Sequence, residues 1–208
     1  YSYAITVTDV DADEVLAITA ESLPDWLTLG DHGDGTATLS GTPANADVGD
    51  HAIPLLVTDT GGLTDTQSFI ITVANVNDAP AFTSTPITTA TEEVAYEYVV
   101  TAEDVDAGDA VSVTALTLPG WLDLTSDGGF TETLSGTPTN DDVGEHLVAL
   151  HVEDLAGATA TQAFTITVAN VNDAPAFTST PITTATQDVP YSYAITVTDV
   201  DADEVLAI

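Results

Sequence analysis

Tyr1-Ser2-Tyr3 recurs as Tyr96-Glu97-Tyr98 and again as Tyr191-Ser192-Tyr193, at a constant spacing of 95 residues. The same offset relates Trp26 to Trp121, Gly41-Thr42-Pro43 to Gly136-Thr137-Pro138, and Asp59 to Asp154. A fixed internal period makes the chain a tandem array, in which each repeat is one folding unit of about 95 residues stacked end to end with its neighbours. Residues 191–208 repeat residues 1–18 without a change, and residues 73–91 are identical to residues 168–186, as expected of alternating units in a longer array. The run Val-Ala-Asn-Val-Asn-Asp-Ala-Pro at 73–80 and 168–175 marks the boundaries. Residues 1–75 therefore read as a first repeat lacking its opening strand, 76–170 as a complete repeat, and 171–208 as the opening strands of a third. A chain that opens on Tyr1 rather than on an initiator Met reads as a window of such an array.

Within one copy the pattern is β throughout. Residues 96–102 place Tyr96, Tyr98, Val100 and Ala102 on one face, the period of two that marks a half-buried strand. Similar runs at 111–116, 121–124, 130–135, 146–152 and 162–168 are separated by turn chemistry such as Asp127-Gly128-Gly129 and Gly136-Thr137-Pro138. No helical periodicity is sustained. Six or seven short strands per repeat predict an all-β fold of tandem Greek-key sandwiches of immunoglobulin type, built without a disulfide because Cys is absent.

Charge narrows the partners. The chain carries 34 Asp and Glu, no Lys or Arg and 4 His, a formal charge of -34, yet 44% of its residues are hydrophobic, so the acidity does not signal disorder. Without a basic side chain it neutralises no phosphates, which excludes nucleic acid and anionic lipid as partners. No stretch is apolar enough to insert in a membrane. A Lys–Asn isopeptide crosslink and a thiolate metal site are equally excluded, and no Asn-x-Ser/Thr sequon occurs. Cations remain.

Asp9-Val10-Asp11 recurs as Asp104-Val105-Asp106 and Asp199-Val200-Asp201, each at the end of the Tyr-led strand, with a further acid at Glu14, Asp109 and Glu204. In a Greek-key sandwich the first strand runs away from the incoming linker and the second returns. The end of the second strand thus lies beside that linker, as does the loop after the sixth, which holds Asp59 or Asp154. Asn75, Asn77 and Asp78 of the linker are expected to converge with Asp104, Asp106, Asp109 and Asp154. The equivalent sets are Asp9, Asp11 and Asp59 in the first repeat, and Asn170, Asn172 and Asp173 with Asp199 and Asp201 at the next boundary. An oxygen-only set favours Ca²⁺, which takes six to eight oxygens at about 2.3–2.6 Å, over softer metals.

Asp104-x-Asp106-x-Gly108, Val152-x-Asp154 and Asn170-x-Asn172-Asp173-Ala-Pro resemble the acidic series of cadherin repeats. The runs 118–122 (Leu-Pro-Gly-Trp-Leu) and 134–138 (Leu-Ser-Gly-Thr-Pro) are closer still to the dystroglycan-type cadherin-like and He-PIG-type immunoglobulin tandem repeats of large bacterial surface adhesins. The resemblance spans the whole chain. It implies an extracellular, cell-surface location, Ca²⁺ at repeat junctions, and a place in the stalk of a secreted adhesin. Three departures stand out: the linker lacks the second Asn of the cadherin series, Gly108 is replaced by Asp13 in the first repeat, and Gly-Thr-Pro stands where cadherins carry Asp-Arg-Glu. These imply one or two ions per junction rather than three.

Trp26 and Trp121 admit two readings, a sugar-stacking platform or core packing, and their setting in Leu-Pro-x-Trp-Leu beside strand hydrophobes favours the core. His146 and His151 lie five apart in a strand and face opposite sides, so they make no metal pair. The acids gather at a repeat end rather than in a cleft, and no Ser-His-Asp, Lys or Cys arrangement accompanies them, so an enzyme is not expected. The expected role is a structural extender, a stalk or fibre rigidified by Ca²⁺ at its junctions, whose partners are neighbouring repeats of the same or identical chains. The alternatives are a Ca²⁺-dependent adhesion module for a glycan or surface receptor, and a filament subunit that assembles by strand exchange.

Overall fold

The computed structural model describes residues 1–11, 14–126 and 131–201, in two compact units, Tyr1–Asp78 and Ala79–Ile208. Asp13, the Asp127-Gly128-Gly129 turn with Phe130, and Glu204 lie outside the described residues.

The first unit contains β1 (Ser2–Thr6), β2 (Ala17–Ala20), β3 (Leu27–Asp31), β4 (Thr36–Gly41), β5 (Gly49–Thr58) and β6 (Thr64–Val73). They form two antiparallel sheets, ordered β1-β4-β3 and β2-β5-β6. A core of Ile5, Ile18, Leu27, Leu39, Ile53 and Leu55 lies between them. The second unit contains β7 (Ala81–Phe82), β8 (Thr89–Thr91), β9 (Tyr96–Glu103), β10 (Ser112–Thr117), β11 (Leu122–Ser126), β12 (Thr131–Gly136), β13 (Gly144–Glu153) and β14 (Thr159–Ala169). Its sheets run β11-β12-β9-β7 and β10-β13-β14-β8, and β15 (Ala176–Phe177) with β16 (Val197–Thr198) adds a short ladder from the third repeat. The architecture is all-β, cadherin-like and immunoglobulin-like, repeated at about 95 residues.

Alternation produces this core. Along β9 the buried residues are Tyr96, Tyr98, Val100 and Ala102, and the first three cluster with Leu134 of the same sheet and with Val148, Leu150 and Ile166 of the other. Each such burial contributes about 1.5–3 kcal/mol, which is how a chain with no disulfide holds a sandwich together. Trp121 packs edge-on between Tyr96 and His146, at 5.7 and 5.9 Å between ring centroids, and Trp26 sits likewise between Tyr1 and His51. Both indoles belong to the core rather than to a sugar platform. The Gly of each Gly-Thr-Pro is a packing requirement: a Cβ at Gly136 would stand 1.9 Å from the carbonyl oxygen of Trp121, and one at Gly41 1.8 Å from that of Trp26.

The opening strand is split. β7 pairs antiparallel with the end of β9, through Ala81↔Glu103 and Phe82↔Ala102, whereas β8 runs parallel to β14 in the opposite sheet. Pro86, which has no N–H to give a ladder, lies in the crossing. A polar lock holds the crossing segment to both sheets. Ser84 Oγ accepts from Thr101 N at 2.9 Å and lies 2.7 Å from Tyr98 Oη, which donates to Gln162 Oε1 at 3.0 Å. Gln162 Nε2 in turn donates to the Ser84 carbonyl at 3.0 Å.

Candidate metal centre

Because β8 lies beside β14, the opening segment ends where the next linker begins. There the chain turns sharply: Val94 N donates to Thr91 O at 3.2 Å, and Glu93 takes a φ of 59°, a left-handed conformation rare for a residue with a Cβ. Asp188, one period on, has a φ of 58°. Glu92, the residue before the tip, is 1% exposed. Its amide donates to Ala169 O at 3.1 Å and its Oε1 accepts from Val171 N at 2.7 Å, while its Oε2 has no hydrogen-bond partner among the described residues. Asp173 and Asp201 meet it, each of the three offering an oxygen within 4.8 Å of the others. Asp201 is also buried; its Oδ2 accepts from Asp173 N at 2.7 Å and its Oδ1 lacks a hydrogen-bond partner among the described residues.

The Asp-x-Asp segments adopt one local geometry three times. Asp11 N, Asp106 N and Asp201 N donate to Asp9, Asp104 and Asp199 Oδ1 at 2.9, 2.8 and 3.0 Å. Each is an Asx-turn, in which the first Asp side chain caps the amide of the second. Asp104, Asp106 and Asp109 form the second set of carboxylates within 4.8 Å, with Gly108 at a φ of 86° turning the chain between the last two. Asp109 Oδ1 accepts from Leu155 N at 3.3 Å, which ties the set to the loop after β13 where buried Asp154 accepts from Ala158 N at 2.8 Å. In the first unit the same two loops are joined by Glu14, which accepts from the amide and hydroxyl of Thr60. There Asp59 accepts from Leu63 N at 2.8 Å, and Asp9 and Asp11 are exposed.

The linkers repeat a smaller motif: Asn77 Nδ2 donates to Asp78 O and Asn172 Nδ2 to Asp173 O, both at 2.8 Å. Asn75, Asn77 and Asp78 are exposed in the first unit, as are Asn170 and Asn172 in the second, where Asp173 is half-buried. The turn at Asn140–Asp142 also reaches this end, since Asn140 Nδ2 donates to Val200 O at 2.5 Å, beside Asp201. Asp142 itself is held below the ordinary carboxylate range by the amide and hydroxyl of Thr139. Burial pushes the Tyr96 phenol up to about 12, so it serves as a neutral donor, to Ile87 O at 2.7 Å.

Glu92 is the site residue that the sequence reading missed. The signal was available: a first strand running away from its incoming linker must end at the outgoing one, and Glu92 directly follows that strand. Its energetics point to a ligand. Burying a carboxylate is costly unless a positive partner neutralises it, and this chain has no Lys or Arg to do so. Two like charges no more than 4.8 Å apart repel by about 3 kcal/mol or more at an effective dielectric constant of about 20. An all-oxygen donor set with buried, unpartnered carboxylate oxygens fits a hard divalent cation.

This geometry defines a tandem cadherin-like and immunoglobulin-like sandwich with acidic clusters at its repeat ends. A family model described as "Putative Ig domain" matches residues 1–74 and 79–169, and the chain belongs to that family. Among solved structures it is similar to the extracellular cadherin domains 1-5 of protocadherin Gamma B2, with 18% identity over 89% of this chain and 39% of that one and a TM-score of 0.62. The protocadherin GammaB4 extracellular domain gives 19% identity over 93% of this chain and 33% of that one, at a TM-score of 0.60. The endo-fucoidan hydrolase MfFcnA4 of glycoside hydrolase family 107 is 31% identical over 82% of this chain and 26% of its own length, at a TM-score of 0.42. The chain thus spans well under half of each of these proteins. Among the described residues no helix is long and apolar enough to cross a membrane.

Proposed function

We propose that the chain is a non-enzymatic extender segment of an extracellular, bacterial cell-surface protein, in which Ca²⁺ clamps successive repeats of residues 1–75, 76–170 and 171–208. The observation that carries this reading is the buried Glu92 carboxylate, facing Asp173 and Asp201 with an oxygen that no described residue hydrogen-bonds. At that junction Glu92 comes from the complete repeat, Asp173 from the linker and Asp201 from the next repeat, supported by Asn170, Asn172 and Asp199. A cation there takes ligands from both sides of the linker, so bending has to break coordination. At the preceding junction Asp104, Asp106, Asp109 and Asp154 act with Asn75, Asn77 and Asp78. Asp9, Asp11 and Asp59 are the corresponding set of the first repeat.

Titration calorimetry with Ca²⁺ on the parent and on Glu92→Gln tests the assignment. The variant loses or weakens one class of site while the other is retained. Identical isotherms would remove Glu92 from the ligand set.

A further inference from the structure

A neutral side-chain amide crosses from the complete repeat to the one that follows it. Between β12 and β13 the chain makes a single turn of 3-10 helix, Asn140–Asp142, whose backbone is held from several sides. Asp142 Oδ2 accepts from Thr139 N and Oγ1 at 2.9 and 2.8 Å, Asp142 N donates to Thr139 O at 2.8 Å, and His146 Nε2 donates to Asp142 O at 2.6 Å. The Asn140 side chain is not among these contacts. It reaches away from the turn, and its amide donates to Val200 O, 60 residues along the chain. The first unit builds the same turn at Asn45–Asp47, where Ala44 N donates to Asp47 Oδ2 at 2.8 Å and His51 Nε2 to Asp47 O at 2.6 Å. The turn is thus a feature of the repeat, fixed by its own residues and free to present its asparagine outward.

What Asn140 holds is the peptide group that carries Asp201. The Val200 carbonyl and the Asp201 N–H are the two ends of one planar unit. The carbonyl end accepts from Asn140 Nδ2 at 2.5 Å, and the N–H end donates to Asp199 Oδ1 at 3.0 Å. With both ends bonded the plane is kept from rotating, which sets the direction in which the Asp201 side chain leaves the backbone. That side chain is buried; its Oδ2 accepts from Asp173 N at 2.7 Å, and oxygens of Glu92 and Asp173 lie within 4.8 Å. Carboxylates this close repel, and the chain has no Lys or Arg to draw Asp201 inward. A neutral donor on the preceding carbonyl supplies attraction without adding charge. We propose that Asn140 is a positioning residue: it latches the Asp-Val-Asp segment of the following repeat to the complete repeat without an ion, and thereby sets Asp201 in place for the cation. The role at the ion rests on the proposed Ca²⁺ clamp of Glu92, Asp173 and Asp201, whereas the latch does not. A ligand already held in position loses less freedom when the ion binds, so affinity at this junction depends on a residue that never touches the ion.

The test uses the 208-residue chain. In chelator, amide exchange followed by NMR is expected to quicken about fivefold in Asn140→Ala at Asp173 and Asp201, the local opening that loss of one neutral hydrogen bond allows, while the paired amides of β13 and β14 keep their rates. In Ca²⁺ titration calorimetry the same variant is expected to weaken, again about fivefold, only the class of site that Glu92→Gln weakens. Asn140→Asp, of the same size but unable to donate, is expected to weaken that site at least as much. Unchanged exchange at Asp173 and Asp201 would overturn the latch, and faster exchange with an unchanged isotherm would overturn its role at the ion. A gain in affinity in Asn140→Asp would make position 140 a ligand instead of a positioning residue. Isotherms that Glu92→Gln also leaves unmoved would refute the clamp, a failure that the exchange measured in chelator keeps separate from failure of the latch.

Discussion

The stabilising effect of Glu92→Gln should shrink with calcium. In chelator, Glu92 is buried with one oxygen held by Val171 N and the other unpartnered among the described residues, facing two further carboxylates within 4.8 Å. At that separation each like-charge pair costs up to about 3 kcal/mol at an effective dielectric constant of about 20, and relaxation lowers the realised figure. The amide is nearly the same size and its oxygen still accepts from Val171 N. The variant should therefore be more stable than the parent by about 1–3 kcal/mol in chelator, or about 5–15 °C in melting temperature for a domain of this size. In Ca²⁺ at about 100 times Kd the parent gains about 2.7 kcal/mol, and a tenfold loss of affinity in the variant removes about 1.4 kcal/mol of that. The assay is thermal unfolding of both proteins in chelator and across a Ca²⁺ series. A variant that is less stable than the parent in both conditions would refute the reasoning and leave Glu92 as a hydrogen-bonding residue for the Val171 amide.

Glu93→Gly should stabilise by about 0.5–1 kcal/mol, because a left-handed φ costs an L-residue about 1–2 kcal/mol and glycine returns part of this as chain entropy; chemical denaturation measures it. Ser84→Ala leaves the Thr101 amide and the Tyr98 hydroxyl short of a partner and should cost about 2–3 kcal/mol, seen as a lower denaturation midpoint with the m-value unchanged. Asp142 has a folded pKa below its ordinary value of 3.8, so its contribution is complete above that value and is lost as pH falls through the folded pKa. The stability difference between the parent and Asp142→Asn should hold steady at neutral pH and shrink on acidification below 3.8; a difference that grows there would be wrong in sign.

The repeat and the strands were legible because both rest on simple periods. An offset of 95 residues and the alternation of Tyr96, Tyr98, Val100 and Ala102 survive any detail of packing. Trp121 was legible as core because its neighbours in sequence are strand hydrophobes. The Asp-x-Asp turns were legible as ligand candidates because each ends a strand, and Asp104, Asp106 and Asp109 do lie together. Glu92 was not, because its burial depends on a long-range event: β8 leaves the sheet of β7 and runs parallel to β14, which carries Glu92 to the outgoing linker. Residues 88–94 contain no alternation that announces this change of sheet. The glutamate reads locally as one of two acids in an exposed turn, and only the pairing of Thr91 with Ala169 buries it.

Solution scattering on the monomeric fraction of the chain, in Ca²⁺ and in chelator, tests most directly whether an ion clamps the repeats. Coordination that joins Glu92, Asp173 and Asp201 across a linker predicts a longer, narrower distance distribution in Ca²⁺ and a shorter, broader one in chelator, with circular dichroism equally β in both. The same maximum dimension in the two conditions would contradict it.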